Sequence, residues 1–236
     1  MRPPRLATAT LVRSGELFGI AEGTTRVALS RMVAAGELEA DGDGYRLAGH
    51  LRARQDRQDA SRAGATRRWD GTWRTEVVTA RARPAASRAE LRAAAGRLRL
   101  AELREGVWMR PANLAPGEPA DEAAVAGQCR SFASRPSDDP ATLAADLWDL
   151  DGWAARAQAL RRRLAELQPD LDRHAGESLA PAFVASAAVL RHMQADPLLP
   201  RDLLPPGWPG AELRADYERY DAAFTAVWRD WYRARR

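Results

Sequence analysis

The 236-residue sequence lacks lysine altogether and contains only one cysteine and three histidines. The single cysteine, Cys129, cannot form a disulfide within the chain, so nothing points to an oxidising compartment. His50, His174 and His192 are far apart in the sequence, and none has a metal-binding spacing with Cys129. These absences predict a cytoplasmic protein that holds no metal and no cofactor.

Long apolar runs and catalytic signatures are missing as well. No stretch approaches the ~20 apolar residues that cross a bilayer, and the first residues lack the apolar segment of a signal peptide. The sequence has no glycine-rich dinucleotide fingerprint, no P-loop and no G-x-S-x-G nucleophile motif. Cys129 lies in a strand-like context, where a cysteine is typically a small buried apolar residue. We therefore expect neither a membrane protein nor an enzyme.

Arginine is abundant and unevenly placed. The net charge is +4, and residues 1–68 hold 12 arginines against 8 acidic residues, whereas residues 69–236 hold 24 of each. A basic surplus confined to one segment is typical of a nucleic-acid partner. The use of arginine in place of lysine has a simpler explanation, the codon usage of a GC-rich genome.

The first 49 residues have the pattern of a winged helix-turn-helix domain. Helices are predicted over residues 8–18 and 24–35, and Gly36 ends the second helix. Residues 38–47 are predicted to form two short strands around an Asp-Gly-Asp-Gly turn, which is a hairpin signal.

The remaining residues divide into a linker and two further domains. Residues 50–68 are almost all polar and predict a solvated linker helix. Residues 69–150 alternate strands and helices as a ferredoxin-like α+β domain does, and residues 151–236 predict a helical domain. The central strands are expected at 72–80, 107–109 and 127–135, and the central helices at 87–100 and 141–150. The C-terminal helices are expected at 151–167, 180–193 and 211–233, with a proline-rich loop at 196–210.

The segment FGIAEGTTRVALSRMVAAGEL (18–38) has the spacing of a helix-turn-helix. Gly19 and Ile20 form the turn, and apolar positions at spacing i, i+3, i+4, i+7 face inward on the second helix. These inward positions are Thr25, Ala28, Leu29 and Met32. The same spacing turns Arg26, Ser30 and, less directly, Val27 outward.

The outward side chains suit DNA. Threonines at the helix start, together with free backbone N–H groups, can bind a phosphate. An arginine such as Arg26 can read guanine or hold a phosphate, and Ser30 can contact either. The predicted DNA-binding residues are Thr24, Thr25, Arg26, Ser30, Arg31 and Arg46. The same pattern is also compatible with an ordinary amphipathic helix, followed by a hairpin, whose arginines are merely solvated.

Several stretches together resemble the PaaX-like family of transcriptional regulators, whose best-known member represses phenylacetate catabolism. The stretches are residues 18–38, GYRL (44–47), WDGTWR (69–74), GVWMRPANL (106–114), LWDLDGW (147–153) and DPLLPRDLLPPGWPG (196–210). The resemblance implies an N-terminal winged helix, a central ferredoxin-like domain similar to a CRISPR-adaptation nuclease, and a helical C-terminal domain. It also implies a homodimer on double-stranded DNA, released by an acyl- or aryl-coenzyme A, with Arg26, Ser30 and Arg31 on the DNA.

The sequence departs from the family pattern in its wing. Glu39, Asp41 and Asp43 make the wing acidic, whereas family wings are usually rich in arginine. Carboxylates beside phosphate reduce affinity for DNA. The sequence also leaves little room for the leading helix of the family. The acidic wing favours an alternative, a protein-interaction module whose degenerate winged helix does not bind DNA specifically.

The likeness to a nuclease raises the question of catalysis. A metal-dependent nuclease of that fold needs a carboxylate at the end of its first strand to hold Mg²⁺. Here residues 79–84 leave the strand without a carboxylate, and Asp70 precedes the strand. Nuclease activity is therefore not expected.

All eight tryptophans lie in residues 69–236. They either pack in cores and between domains or line an aryl pocket, and a nearby arginine could meet a coenzyme A phosphate. The predicted effector-binding residues are Trp108, Arg110, Trp148 and Trp153. The sequence as a whole predicts a ligand-responsive, DNA-binding repressor.

Overall fold

The computed structural model describes residues 5–233, which form a mixture of helices and small sheets. The helices are α1 (Thr8–Glu16), α2 (Glu22–Ala34), α3 (Gly49–Ala63), α4 (Ala85–Arg97), α5 (Pro119–Ala126), α6 (Pro140–Leu147), α7 (Leu150–Asp172), α8 (Leu179–Gln194) and α9 (Gly210–Arg233). The strands are β1 (Leu6–Ala7), β2 (Leu38–Asp41), β3 (Gly44–Leu47), β4 (Trp73–Val78), β5 (Ala101–Arg104), β6 (Val107–Pro111) and β7 (Cys129–Ser134). The predicted α+β fold class is confirmed. None of the described helices combines the length and apolar character needed to cross a membrane.

The contacts group the chain into two compact units. Of the described residues, the first unit contains 5–63, Arg156–Gln194 and 209–233, and the second contains Gly64–Ala155 and Ala195–Trp208. The boundaries expected from the sequence, at residues 49, 68 and 150, stay a prediction.

The first unit begins with a winged helix. Strands β2 and β3 form the predicted hairpin, and β1 extends it into an antiparallel sheet of order β1–β3–β2. The sequence did not predict β1, because two residues are too short to show an alternating pattern. Helices α1 and α2 form the predicted helix-turn-helix.

Helix α3 is docked in the first unit by polar contacts. Arg62 donates a hydrogen bond to Asp221 at 2.9 Å, and its guanidinium lies 5.1 Å from the ring centre of Tyr217. Arg214 donates to the carbonyl of Ser61 at 3.1 Å. The sequence predicted a solvated helix because α3 has no apolar stripe. Contacts made by guanidinium groups dock a helix without producing a periodic pattern of apolar residues in its sequence.

Two buried tyrosines of α9 hold α8. The hydroxyl of Tyr220 donates to the carbonyl of Ala182 at 3.0 Å, and the hydroxyls of Tyr217 and Ser186 lie 2.8 Å apart. Burial raises the pKa of both phenols, so both stay protonated at neutral pH. These bonds satisfy polar groups inside an otherwise apolar helix contact.

The second unit has the βαββαβ order of the predicted ferredoxin-like domain. Its antiparallel sheet has the order β5–β6–β4–β7. The sequence did not predict two elements, β5 and α5. Strand β5 is a short run that directly follows a helix, and α5 opens with Pro119 inside a segment that reads as a loop. The central helix predicted to begin at residue 87, α4, begins two residues earlier, after Pro84.

Each face of the central sheet has its own core. Met109 lies in one cluster with Trp73, whereas its neighbour Trp108 lies in another with Leu91 and Val125. This separation follows from geometry, since consecutive side chains of a strand point to opposite faces. The residues completing the Met109 cluster are Leu143, Ala144, Leu150, Leu199 and Leu203.

Candidate nucleic-acid interface

The helix-turn-helix depends on a close approach of α1 and α2. A Cβ atom on Gly15 would lie 2.5 Å from Oγ1 of Thr25, so only glycine fits there without a shift. The turn contains Gly19 with φ +70°, a conformation that glycine adopts without strain. The backbone N–H of Ile20 then donates to the carbonyl of Gly15 at 3.0 Å. These contacts fix the direction of α2.

Helix α2 begins two residues earlier than predicted, at Glu22. The backbone N–H of Thr25 therefore donates within the helix, to Ala21 at 3.0 Å, and its hydroxyl faces the same carbonyl at 3.4 Å. Among residues 5–233, the backbone N–H of Thr24 has no backbone acceptor. Of the two threonines, only Thr24 retains the free backbone donor expected at a helix start.

One face of α2 is open to solvent. A shallow depression on this face is lined by Arg26, Val27, Ser30, Arg31 and Ala34. The outward orientation predicted for Arg26, Ser30 and Val27 is observed, and Arg31 is exposed as well. Of the positions predicted to face inward, Leu29 is buried but Ala28 is exposed, because little of the helix circumference is covered.

The two arginines on this face differ in whether their side chains are paired. Nε of Arg26 donates to Glu22 at 2.8 Å, an exposed pair one helical turn apart. Such a pair contributes only about 0.3–0.5 kcal/mol, so it orients the guanidinium without holding it tightly. The side chain of Arg31 has no partner within residues 5–233. The hydroxyl of Ser30 donates to the carbonyl of Arg26 at 3.1 Å and keeps its capacity to accept.

The acidic wing is largely compensated within the domain. Arg46 donates to Asp41 at 2.6 Å, and Arg5 pairs with Asp43 and donates to the carbonyl of Asp41 at 2.9 Å. Arg5 lies before β1, so the short first strand brings a cation to the wing. Sequence reasoning missed this contact, since 36 residues separate Arg5 from Asp41.

The comparisons agree with this geometry. The model of the PaaX-like protein family matches residues 1–51, and the model of the PaaX-like C-terminal domain matches residues 148–234. The chain belongs to the PaaX-like family. A similar solved structure is that of the uncharacterized protein Rv0674 from Mycobacterium tuberculosis, which is 41% identical, with a TM-score of 0.74. The match covers 97% of this chain and 92% of that one. No curated protein matches the chain.

Members of the PaaX-like family are generally transcriptional regulators rather than enzymes. The first family match ends just after the wing and so contains the whole helix-turn-helix. The open face of α2 is therefore the candidate site of this PaaX-like protein.

The four predicted effector residues of this PaaX-like protein do not form one cluster. Trp148 packs against the core that contains Met109, and Trp153 stacks on Trp208 with ring centres 4.5 Å apart. Trp108 lies in the core on the opposite sheet face. Arg110 shares the strand face of Trp108, because the two residues are two positions apart in β6.

Arg110 is buried and has no carboxylate partner within the described chain. It donates to the carbonyls of Pro111 and Leu98 and, at 2.7 Å, to the side chain of Asn113. Asn113 donates in turn to the carbonyl of Leu198 at 2.8 Å. Burial lowers the pKa of Arg110 to about 9, and the guanidinium remains charged at neutral pH. Asn113 thus links Arg110 of β6 to the proline-rich loop.

Sequence reasoning also overlooked a buried carboxylate, Glu76 in the middle of β4. Glu76 accepts hydrogen bonds from Arg74 at 2.7 Å and from Ser131 at 2.6 Å. Arg74 also binds Glu122 through two nitrogens and lowers the pKa of that carboxyl. Within residues 5–233, no three His, Cys, Asp or Glu side chains meet as a metal site would need. Burial raises the pKa of the Cys129 thiol, which makes it a weak nucleophile.

Proposed function

We propose that this PaaX-like protein is a cytoplasmic transcriptional repressor that binds double-stranded DNA as a homodimer. The observation that carries the proposal is the open face of α2, which presents Arg26, Ser30 and Arg31 on a helix-turn-helix. In this motif the second helix enters the major groove, where its side chains meet base edges. The basic surplus of residues 1–68 supports attraction to the phosphate backbone.

Each side chain of the face has a proposed role. Nε of Arg26 is held by Glu22, and its two outer nitrogens are left to donate to O6 and N7 of a guanine. Ser30 contacts a base or a phosphate, and Arg31 neutralises a phosphate. The free backbone N–H of Thr24 suits a phosphate at the helix start.

The remaining two predicted DNA-binding residues, Thr25 and Arg46, have different proposed roles. Thr25 acts by positioning α2 against Gly15, since its own donors are used within the helix. Arg46 remains a proposed phosphate contact of the wing. Its side chain is 23% exposed while it pairs with Asp41, so a phosphate could compete for the guanidinium.

Replacing Arg26 with alanine should weaken specific DNA binding by about 1–3 kcal/mol, because a bidentate contact to guanine is lost. The measurement is a mobility-shift titration on DNA from immediately upstream of the protein's own gene. Arg163→Ala is the matched control, since Arg163 is also exposed and paired within its own helix, to Glu166. Unchanged affinity in a folded Arg26→Ala protein would remove Arg26 from the recognition surface.

A homodimer would place two α2 helices on one operator. Recognition helices of dimeric helix-turn-helix proteins bind half-sites about one turn of DNA apart, or multiples of it. The proposed operator is therefore an inverted repeat, and one retained half-site should bind much more weakly than two.

We further propose that a small-molecule effector, an acyl- or aryl-coenzyme A, releases the protein from DNA. Release requires that the effector binds the DNA-free form better than the DNA-bound form. Trp148 and Trp153 are proposed for the aryl group, with Trp108 and Arg110 as the other two candidates.

The effector is tested by adding phenylacetyl-coenzyme A to the mobility-shift reaction. We expect loss of the specific complex with the thioester and no loss with free coenzyme A. A complex that the thioester leaves intact would contradict this effector while keeping the regulator. Absence of any complex at low salt, on this DNA and on neighbouring promoters, would favour the protein-interaction module instead.

A further inference from the structure

An apolar side chain occupies the middle of the open face of α2. Val27 is 52% exposed, more than any other large apolar residue within residues 5–48. Arg26, Ser30 and Arg31 surround it in the same shallow depression, and Ala34 continues its row along the helix. Valine is a weaker helix former than alanine, and an exposed valine adds little to a core. Helix stability therefore does not account for Val27.

The chemistry of the major groove offers an apolar partner. Each base pair presents hydrogen-bonding groups there, and a pair that contains thymine also presents the 5-methyl group. A side chain that ends in two methyl groups and is flanked by arginines complements such an edge. The neighbouring arginines would hold the backbone or a guanine while Val27 covers the methyl group.

We propose that Val27 is a specificity-determining residue that packs on the 5-methyl group of a thymine in the operator. The inference rests on the DNA-binding function proposed above and adds the base that this position reads. Because the contact is apolar, it distinguishes thymine from bases without a methyl group and makes no hydrogen bond. Ala34, two turns further along the same face of α2, has only a small side chain and leaves this face accessible.

The experiment removes only the methyl group. Duplexes that the wild-type protein binds are first selected from a random library. Each thymine of the tightest duplex is then replaced, one at a time, by deoxyuridine. At one thymine of a half-site, we expect the wild-type affinity to fall about fourfold, the effect of losing one buried methyl-sized group. Val27→Ala should bind the thymine and deoxyuridine duplexes with nearly equal affinity.

Val184→Ala is the matched control, because Val184 is also exposed, on α8. This variant should keep the fourfold preference for thymine. If deoxyuridine has the same effect on the wild-type protein and on folded Val27→Ala at every position, Val27 does not read a methyl group, while DNA binding stands. If no duplex is enriched in the selection, the proposed DNA-binding function fails and the inference fails with it.

Discussion

Arg110→Ala should lower the free energy of unfolding of the second unit by about 3 kcal/mol. The substitution removes a buried donor from the carbonyls of Leu98 and Pro111 and from the side chain of Asn113. Hydrogen bonds to charged groups contribute about 1.5–3 kcal/mol each, and acceptors left buried without a partner add to the cost. The loss is partly offset because the variant no longer buries a guanidinium, the burial that lowers the pKa of Arg110.

Urea unfolding followed by tryptophan fluorescence measures this change. The second unit holds most of the tryptophans, namely Trp69, Trp73, Trp108, Trp148, Trp153 and Trp208. Arg135→Ala is the control, since this exposed arginine lies 3.7 Å from the exposed Asp70, and we expect a change under about 0.5 kcal/mol. Equal stabilities of the two variants would show that the Arg110 bonds contribute nothing net.

Glu76→Ala should lower the free energy of unfolding of the second unit by about 2–3 kcal/mol, because it removes a buried carboxylate that accepts two hydrogen bonds. Arg74 keeps Glu122, whereas the Ser131 hydroxyl loses its acceptor. Glu76→Gln keeps one carbonyl oxygen to accept from Arg74, and its amide nitrogen can donate to the Ser131 hydroxyl, so we expect a smaller loss, about 1–2 kcal/mol.

The same fluorescence assay tests the Glu76 variants. Glu105→Ala is the control, because Glu105 is an exposed carboxylate in the turn between β5 and β6. A Glu76→Ala protein as stable as the control would mean that the desolvation of this carboxylate cancels its bonds. A Glu76→Gln protein less stable than Glu76→Ala would contradict the assignment of hydrogen bonding as the main contribution.

The sequence was most informative where side chains repeat with a period. The hairpin after Gly36 and the helix-turn-helix spacing around Leu29 predicted the winged helix, and the open face of α2 follows from the same spacing. The βαββαβ order was predicted only in part, because β5 and α5 are short and lack a period that a window can detect.

Contacts between distant residues could not be predicted. Arg5 contacts the wing, and Arg62 contacts Asp221, which is 159 positions away. The local sequence around either arginine gives no sign of these contacts. The burial of Glu76 was equally hidden, since a carboxylate inside a strand normally indicates a solvent-facing position. Pairing of charges depends on the tertiary fold, and a single sequence does not record it.

The docking of α3 has a consequence for biosynthesis. The winged helix leaves the ribosome first, but α3 is held by Tyr217 and Asp221 of α9, which are made more than a hundred residues later. The ribosome must pass Asp221 before Arg62 can meet its partner, and the whole second unit is translated in between. Domains usually fold in order of synthesis, yet here α3, which is translated directly after the winged helix, is among the last helices to acquire its full set of contacts.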